Sequence, residues 1–241
     1  MTEFIIFSSP KFHKQYNLGQ CALRVGDQLI TASTQVRDLG SIIDRSLSME
    51  ANVNTIIRSM YCQMRKVSKL RQYLDESSCA KVVNSLITSR LDYNNSLLYG
   101  LPKTLLHRLQ VAQNQAARLV TRTRRREHIT PVLRSLHWLP VEWRIQYKIL
   151  LHVYKCMNCD SAPSYLKDLI QIYVPNRQLR SSSDTRTLVQ PIARNSFGKR
   201  AFVNSAPALW NTMPYSLRHC QTVESFKRQL KTYLFVQCFN A

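Results

Sequence analysis

At Ser48 the hydrophobic patterning of this chain changes period, and that change divides what the chain can build. Before it, apolar residues come in short runs between turn formers. EFIIFS at 3–8 ends at Pro10 and is expected as a buried strand. Cys21–Val25, Gly26-Asp27 and Gln28–Thr31 read as a β-hairpin with a Gly-Asp turn. QVRDLGSIID at 35–44 reads as another strand, with Gly40 marking a bulge or a close backbone approach. A few strands alone are marginal in water, so this portion is expected to dock on something else.

After Ser48 the period is 3.6. Ser48 is the expected N-cap, with Glu50 favoured in the first turn by the helix dipole. Val53, Ile56, Ile57, Met60, Met64, Val67 and Leu74 form one stripe, and Arg58, Arg65 and Lys69 fall opposite. Asp75-Glu76-Ser77-Ser78 restarts a helix whose inner face is Ala80, Val83, Leu86, Ile87 and Leu91. SRLDYNNSLLYGLP at 89–102 then reads as a buried connector. Asp92, Asn94 and Asn95 can satisfy local backbone groups, Gly100 can take φ > 0, and Pro102 suits a helix start.

Lys103–Arg126 is the most charged helix candidate. It has Leu105, Leu109, Ala112, Ala116, Leu119 and Val120 on one side and His107, Asn114, Arg118, Arg122 and Arg125 on the other. Its seven basic residues stand without an acidic one, whereas solvated helix faces usually alternate sign. Short helices follow at 129–138 and 162–172, with a longer one at Val141–Cys156 after Pro140. The polar, basic stretch 176–194 reads as a loop or flexible arm. A segment at Phe197–Phe202, a short helix near Ala206–Asn211 and a last helix at Val223–Phe239 complete the chain. The expected architecture is mainly α, a helical bundle with a small N-terminal β portion. Its parts are 1–47, 48–160 and 161–241.

The charge balance narrows the partner. Lys and Arg number 34 against 14 Asp and Glu, a net +20, which points to a polyanion, with nucleic acid first and an anionic membrane surface second. Residues 1–50 carry five basic and five acidic groups, so the whole excess lies beyond them. Helix stripes matched to a bundle core, rather than left open to lipid, argue against the membrane surface. No stretch approaches the roughly 20 apolar residues of a membrane span. The seven scattered cysteines fit reduced thiols, and a nuclear or cytoplasmic, intracellular protein is expected.

Catalytic chemistry is hard to find. A polymerase-type site needs clustered carboxylates for two metals about 4 Å apart. The eight aspartates, at 27, 38, 44, 75, 92, 160, 168 and 184, include no pair in sequence. Cys156 and Cys159 have CxxC spacing, but a structural zinc site wants a second pair, and on a helix two such cysteines simply pack. His137-Trp138 reads as a core pair. No GxSxG and no phosphate loop occurs among the five glycines. No catalytic residue, cofactor, metal or small-molecule substrate is expected for this chain.

Taken together, the segments resemble the end of the reverse transcriptase of jockey-like non-LTR (LINE-type) retrotransposons. The resemblance runs over TEFIIF at 2–7, VRDLGSIID at 36–44, SRLDYNNSLLYGLP at 89–102 and LQVAQNQAARLVT at 109–121. It continues over LRSLHWLPVEWRIQYKILLHVYKCMN at 133–158, APSYLKDLI at 162–170, RSSS at 180–183, KRAFVNSAPALWNTMP at 199–214 and SFKRQLKTYLF at 225–235.

The resemblance implies that the first strand ends a polymerase palm, in a segment that in the family usually opens Lys-Thr-Glu. Met1 stands in place of the lysine, giving the expectation that the reading frame opens upstream. VRDLG resembles the motif at the palm–thumb border, although Asp38 stands where the family is often aromatic. The helices after it then correspond to a thumb that grips the template–primer duplex. The catalytic aspartates, and the Mg they would bind, belong to the complete parent polymerase.

The expected mechanism is a sequence-independent clamp on RNA–DNA hybrid, RNA or DNA, with cations contacting phosphates. Its candidate residues are Arg118, Arg122, Arg124, Arg125 and Arg126, then Arg58, Arg65 and Lys69. Arg177, Arg180 and Arg186 in the polar arm are expected to order on binding. Trp138, Trp143 and Trp210 read as core residues rather than base-stacking platforms. The rival expectation is a non-catalytic interaction or scaffold remnant that folds against a missing palm portion and exposes apolar surface over residues 1–47.

Overall fold

The computed structural model of the chain describes residues 2–8, 10–175 and 186–239. Helix accounts for 60% and strand for 10%, with the sheets confined to the N-terminal part, so the mainly α expectation holds. No helix among the described residues is long and apolar enough to cross a membrane. The chain forms two compact units, Met1–Asn94 with Leu101–Ala112, and Asn95–Gly100 with Gln113–Ala241.

The first unit begins with strand β1 (Phe4–Ile5) and helix α1 (Pro10–Gln15). The expected strand at 3–8 is cut to two paired residues. Phe4 and Ile5 pair in parallel with Ala32 and Ser33, the Ser8 amide bonds Arg45 O at 3.3 Å outside the strand, and Phe7 is exposed. Pro10 opens a helix instead of only closing the strand, a position where its missing N–H costs nothing. Strands β2 (Ala22–Val25) and β3 (Gln28–Ser33) form the expected hairpin, with Gly26 at φ 60 in its turn.

The stretch expected as one strand at 35–44 is instead a hairpin of β4 (Gln35–Asp38) and β5 (Ser41–Asp44). Its turn residues, Leu39 and Gly40, both have positive φ (42° and 83°). Leucine at the first of these hides the turn, because Asn or Asp is the usual signal there. The Tyr93 hydroxyl donates to Leu39 O at 2.6 Å, which holds the turn in place.

Helix α2 (Glu50–Leu70) follows. Its start is organised chiefly by Asp44, while Ser48, one residue before the cap position, accepts from the Glu50 amide through its hydroxyl at 3.3 Å. Met49 stands before the first turn in left-handed conformation without a side-chain cap. The Asp44 carboxylate accepts from the amides of Ser46 (3.1 Å), Ser48 (3.0 Å) and Met49 (2.7 Å), and from both serine hydroxyls. Buried Asn52 ties the helix to the hairpin by accepting from the Ile42 amide at 3.1 Å.

Val53, Met60, Met64 and Val67 are buried as expected, while Ile56, Ile57 and Leu74 are half-buried. Helix α3 (Glu76–Val83) is capped by Asp75, whose side chain accepts from the Ser78 amide. It runs into a π-helical turn, Asn84–Thr88, and then α4 (Ser89–Asp92). The wider turn disturbs the expected inner face. Leu86 is exposed, while Cys79, Val83, Ile87 and Leu91 are buried.

Helix α5 (Lys103–Thr121) belongs to the first unit up to Ala112 and to the second from Gln113. In the second unit, α6 (Ile129–Ser135) leads to α7 (Val141–Asn158), against which α10 (Phe202–Trp210) and α12 (Val223–Phe239) pack. Tyr154 stacks on Phe226 with ring centroids 4.1 Å apart, and its hydroxyl donates to Cys220 O at 2.9 Å. Trp138 and Trp210 are buried, as read from the sequence, and Trp143 is half-buried. His137 departs from its expected place in the core. It is exposed, at φ 52, with its ring beside Phe235.

Helix α8 keeps only Ser164–Lys167 of the expected 162–172, because Ile172 forms an antiparallel bridge with Leu188. Over its described part, 186–194, the stretch expected as a loop or flexible arm is a loop, held by that bridge. Asn211 brackets Leu188 by accepting from its amide and donating to its carbonyl, each at 2.9 Å. Trp210 Nε1 donates to Arg186 O at 2.7 Å. Short helices α9 (Ser196–Arg200) and α11 (Tyr215–Arg218) flank α10.

Candidate nucleic-acid interface

On α2 a 100° step per residue sets Arg58, Arg65 and Lys69 within about 40° of arc, opposite the buried Val53, Met60, Met64 and Val67. All three cations are exposed, as is Lys66 on the flank, which the sequence pattern did not single out. Their span of 11 residues covers about 16 Å at 1.5 Å per residue. No acidic residue lies between Glu50 and Asp75 to neutralise this face. Glu50 itself is engaged in the same unit by Arg108, 3.6 Å away, which also bonds Asn54.

In the second unit the basic run ends α5 and enters the turn after it. Arg122 is exposed at φ 57, just past the helix end, and Arg124, Arg125 and Arg126 are exposed in the following turn. Arg118 is placed differently. It is half-buried, and its guanidinium donates to Glu127 O at 3.0 Å. The Glu127 carboxylate accepts from the Arg124 amide at 3.1 Å, and the Thr121 and Thr123 hydroxyls bond at 2.6 Å. Arg118 and Glu127 thus shape a turn that presents Arg124–Arg126. Glu127, one residue beyond the acid-free run, is the structural partner that helical periodicity alone does not reveal.

Arg177 and Arg180 lie outside the described residues. Arg186 is not waiting to be ordered by a ligand. Its guanidinium donates to Asn158 Oδ1 at 3.1 Å and to Arg218 O at 2.8 Å.

Among the described residues no three His, Cys, Asp or Glu side chains gather as a metal site. All seven thiols are free, and burial pushes the Cys156 thiol up. His152 on α7 is held below the usual imidazole range by burial, then by Lys148 and Lys155. No protein-family model, curated protein or solved structure matches this chain.

Proposed function

We propose that this chain is the C-terminal part of a non-LTR retrotransposon reverse transcriptase and binds template–primer nucleic acid through basic faces. The helical units correspond in this reading to the thumb and the region after it, and residues 1–47 to the end of the palm. The chain is not itself an enzyme, since the paired aspartates that would hold Mg in the parent polymerase are absent from it. Its partner is RNA–DNA hybrid, RNA or DNA, bound without sequence specificity in the nucleus or cytoplasm.

The observation that carries the reading is the exposed, acid-free cation row Arg58, Arg65 and Lys69 on the side of α2 turned from its core. Cations so placed neutralise phosphates and release counterions, whereas a face used for helix packing would be apolar. Binding of the purified chain to a labelled RNA–DNA hybrid across a salt series tests it. Tight binding with a steep slope is expected. Replacing Arg122, Arg124, Arg125 and Arg126 together by Ala should lower both affinity and slope, and an unchanged slope would remove those residues from the interface.

A second reading, a protein-interaction remnant, is favoured by one observation. Leu23, Val25, Leu29 and Leu39, all within residues 1–47, are exposed at 46–81%. A well-folded sample that ignores the hybrid at low salt would select it.

A further inference from the structure

A cleft of about 380 Å³ opens in the first unit beside the β4–β5 turn, α2 and the π-helical turn. That volume is in the range of small-ligand sites, roughly 300–1,000 Å³. Arg37 from β4 and Arg90 from α4 line it, and no carboxylate does. Two guanidinium groups in a site without a counter-charge call for an anion with several acceptor oxygens.

Four of the six hydroxyls lining the same cleft have the opposite character, the others being Ser41, which accepts from Asn94 Nδ2 at 3.1 Å, and Ser59. Thr55 spends its proton on Ala51 O (2.9 Å), Ser85 on Lys81 O (3.0 Å), Ser89 on Ser85 O (2.5 Å) and Tyr93 on Leu39 O (2.6 Å). Each oxygen is thereby left as an acceptor. The cleft therefore offers donors from arginine and acceptors from these four hydroxyls, which suits a ligand with both an anionic group and hydroxyl donors. The Tyr93 ring, pinned through its hydroxyl and 3.5 Å from where a Cβ on Gly40 would stand, adds a fixed aromatic wall.

We propose that this cleft binds a ribose-phosphate unit. Arg37 and Arg90 take the phosphate, and the Ser85, Ser89 and Thr55 oxygens accept from the sugar hydroxyls, which makes the 2′-hydroxyl a recognised group. Such a unit is supplied by a free ribonucleotide or by an RNA strand. The polymeric ligand rests on the nucleic-acid reading above, while the mononucleotide does not.

The test uses the full chain and four probes at 0.15 M salt: adenosine 3′-monophosphate, its 2′-deoxy counterpart, and ten-residue oligo(A) and oligo(dA). Wild type should prefer each ribo probe by about threefold or more, the worth of one neutral hydrogen bond. S85A/S89A should bring that ratio to one with deoxy affinity unchanged. R37Q/R90Q should weaken the mononucleotides at least tenfold. Binding of the oligomer but not the mononucleotide identifies the RNA strand as the source only if S85A/S89A still abolishes the ribo preference.

Equal wild-type affinity for ribo and deoxy probes overturns the proposal. So does an R37Q/R90Q protein with wild-type melting and wild-type affinity. Loss of oligomer binding in the Arg122–Arg126 variant, with adenosine monophosphate still bound, would separate a failed clamp from a working cleft.

Discussion

Replacing Asp44 removes the acceptor for five donors at once, at the one place where a sheet hands over to a long helix. Burial works to raise this carboxyl, but the bonds from Ser46, Ser48 and Met49 outweigh it and hold it below its ordinary value of 3.8. Asp44→Ala should cost about 2–4 kcal/mol, because buried amides such as that of Met49 are left without an acceptor. The pH dependence has a definite sign. A carboxyl whose folded pKa is depressed adds stability that is fully present above the unfolded value, and that stability is lost as pH falls through the folded value. Urea midpoints of wild type and Asp44→Asn should therefore differ most near neutrality and converge at the acid end. At this scale the sequence is only partly legible. Ser48 sits where the period changes and so looks like the cap, while an aspartate several residues upstream carries no capping spacing. Gly100, by contrast, is readable as a positive-φ position and has φ 67.

For elements, α2 shows why periodicity reads so much. Its stripe places four residues in the core and three cations in solvent from spacing alone. Met60, at 1% exposure, should cost about 2–5 kcal/mol as Met60→Ala in a denaturant melt. Changing Arg58, Arg65 and Lys69 together to Gln should move stability by no more than about 0.5 kcal/mol per site. The same triple change should flatten the salt dependence of hybrid binding by about 0.9 for each phosphate no longer neutralised. Where the period is interrupted, legibility fails. The π-helical turn at Asn84–Thr88 takes more than 3.6 residues, so Leu86 faces out while Ile87 and Leu91 stay inside. The helix expected over 162–172 fails for another reason. A tertiary partner, Leu188, claims Ile172 for a bridge that no local propensity announces.

Across the whole molecule, charge and apolar exposure are separated along the chain. Residues 1–50 are electrically balanced and carry exposed Leu23, Leu29 and Leu39, while the basic excess follows. Leu29→Lys with Leu39→Lys should leave the melting temperature near wild type and reduce binding of a hydrophobic dye, since both side chains are already in water. Composition makes this asymmetry visible before any fold is drawn, because it depends on counting and not on pairing. The cleft at Arg37 and Arg90 is invisible at that level, since it joins a hairpin to a helix about 50 residues away.

The three tryptophans, Trp138, Trp143 and Trp210, all belong to the second unit. Intrinsic indole emission is therefore blind to the first. A red shift on heating reports only the unfolding of the second unit, while circular dichroism at 222 nm averages over the helices of both. Coincident curves would mean that the two units melt as one cooperative body. An ellipticity loss that precedes the emission shift would mark the first as the weaker, and the chain thus carries its own optical label for telling its halves apart.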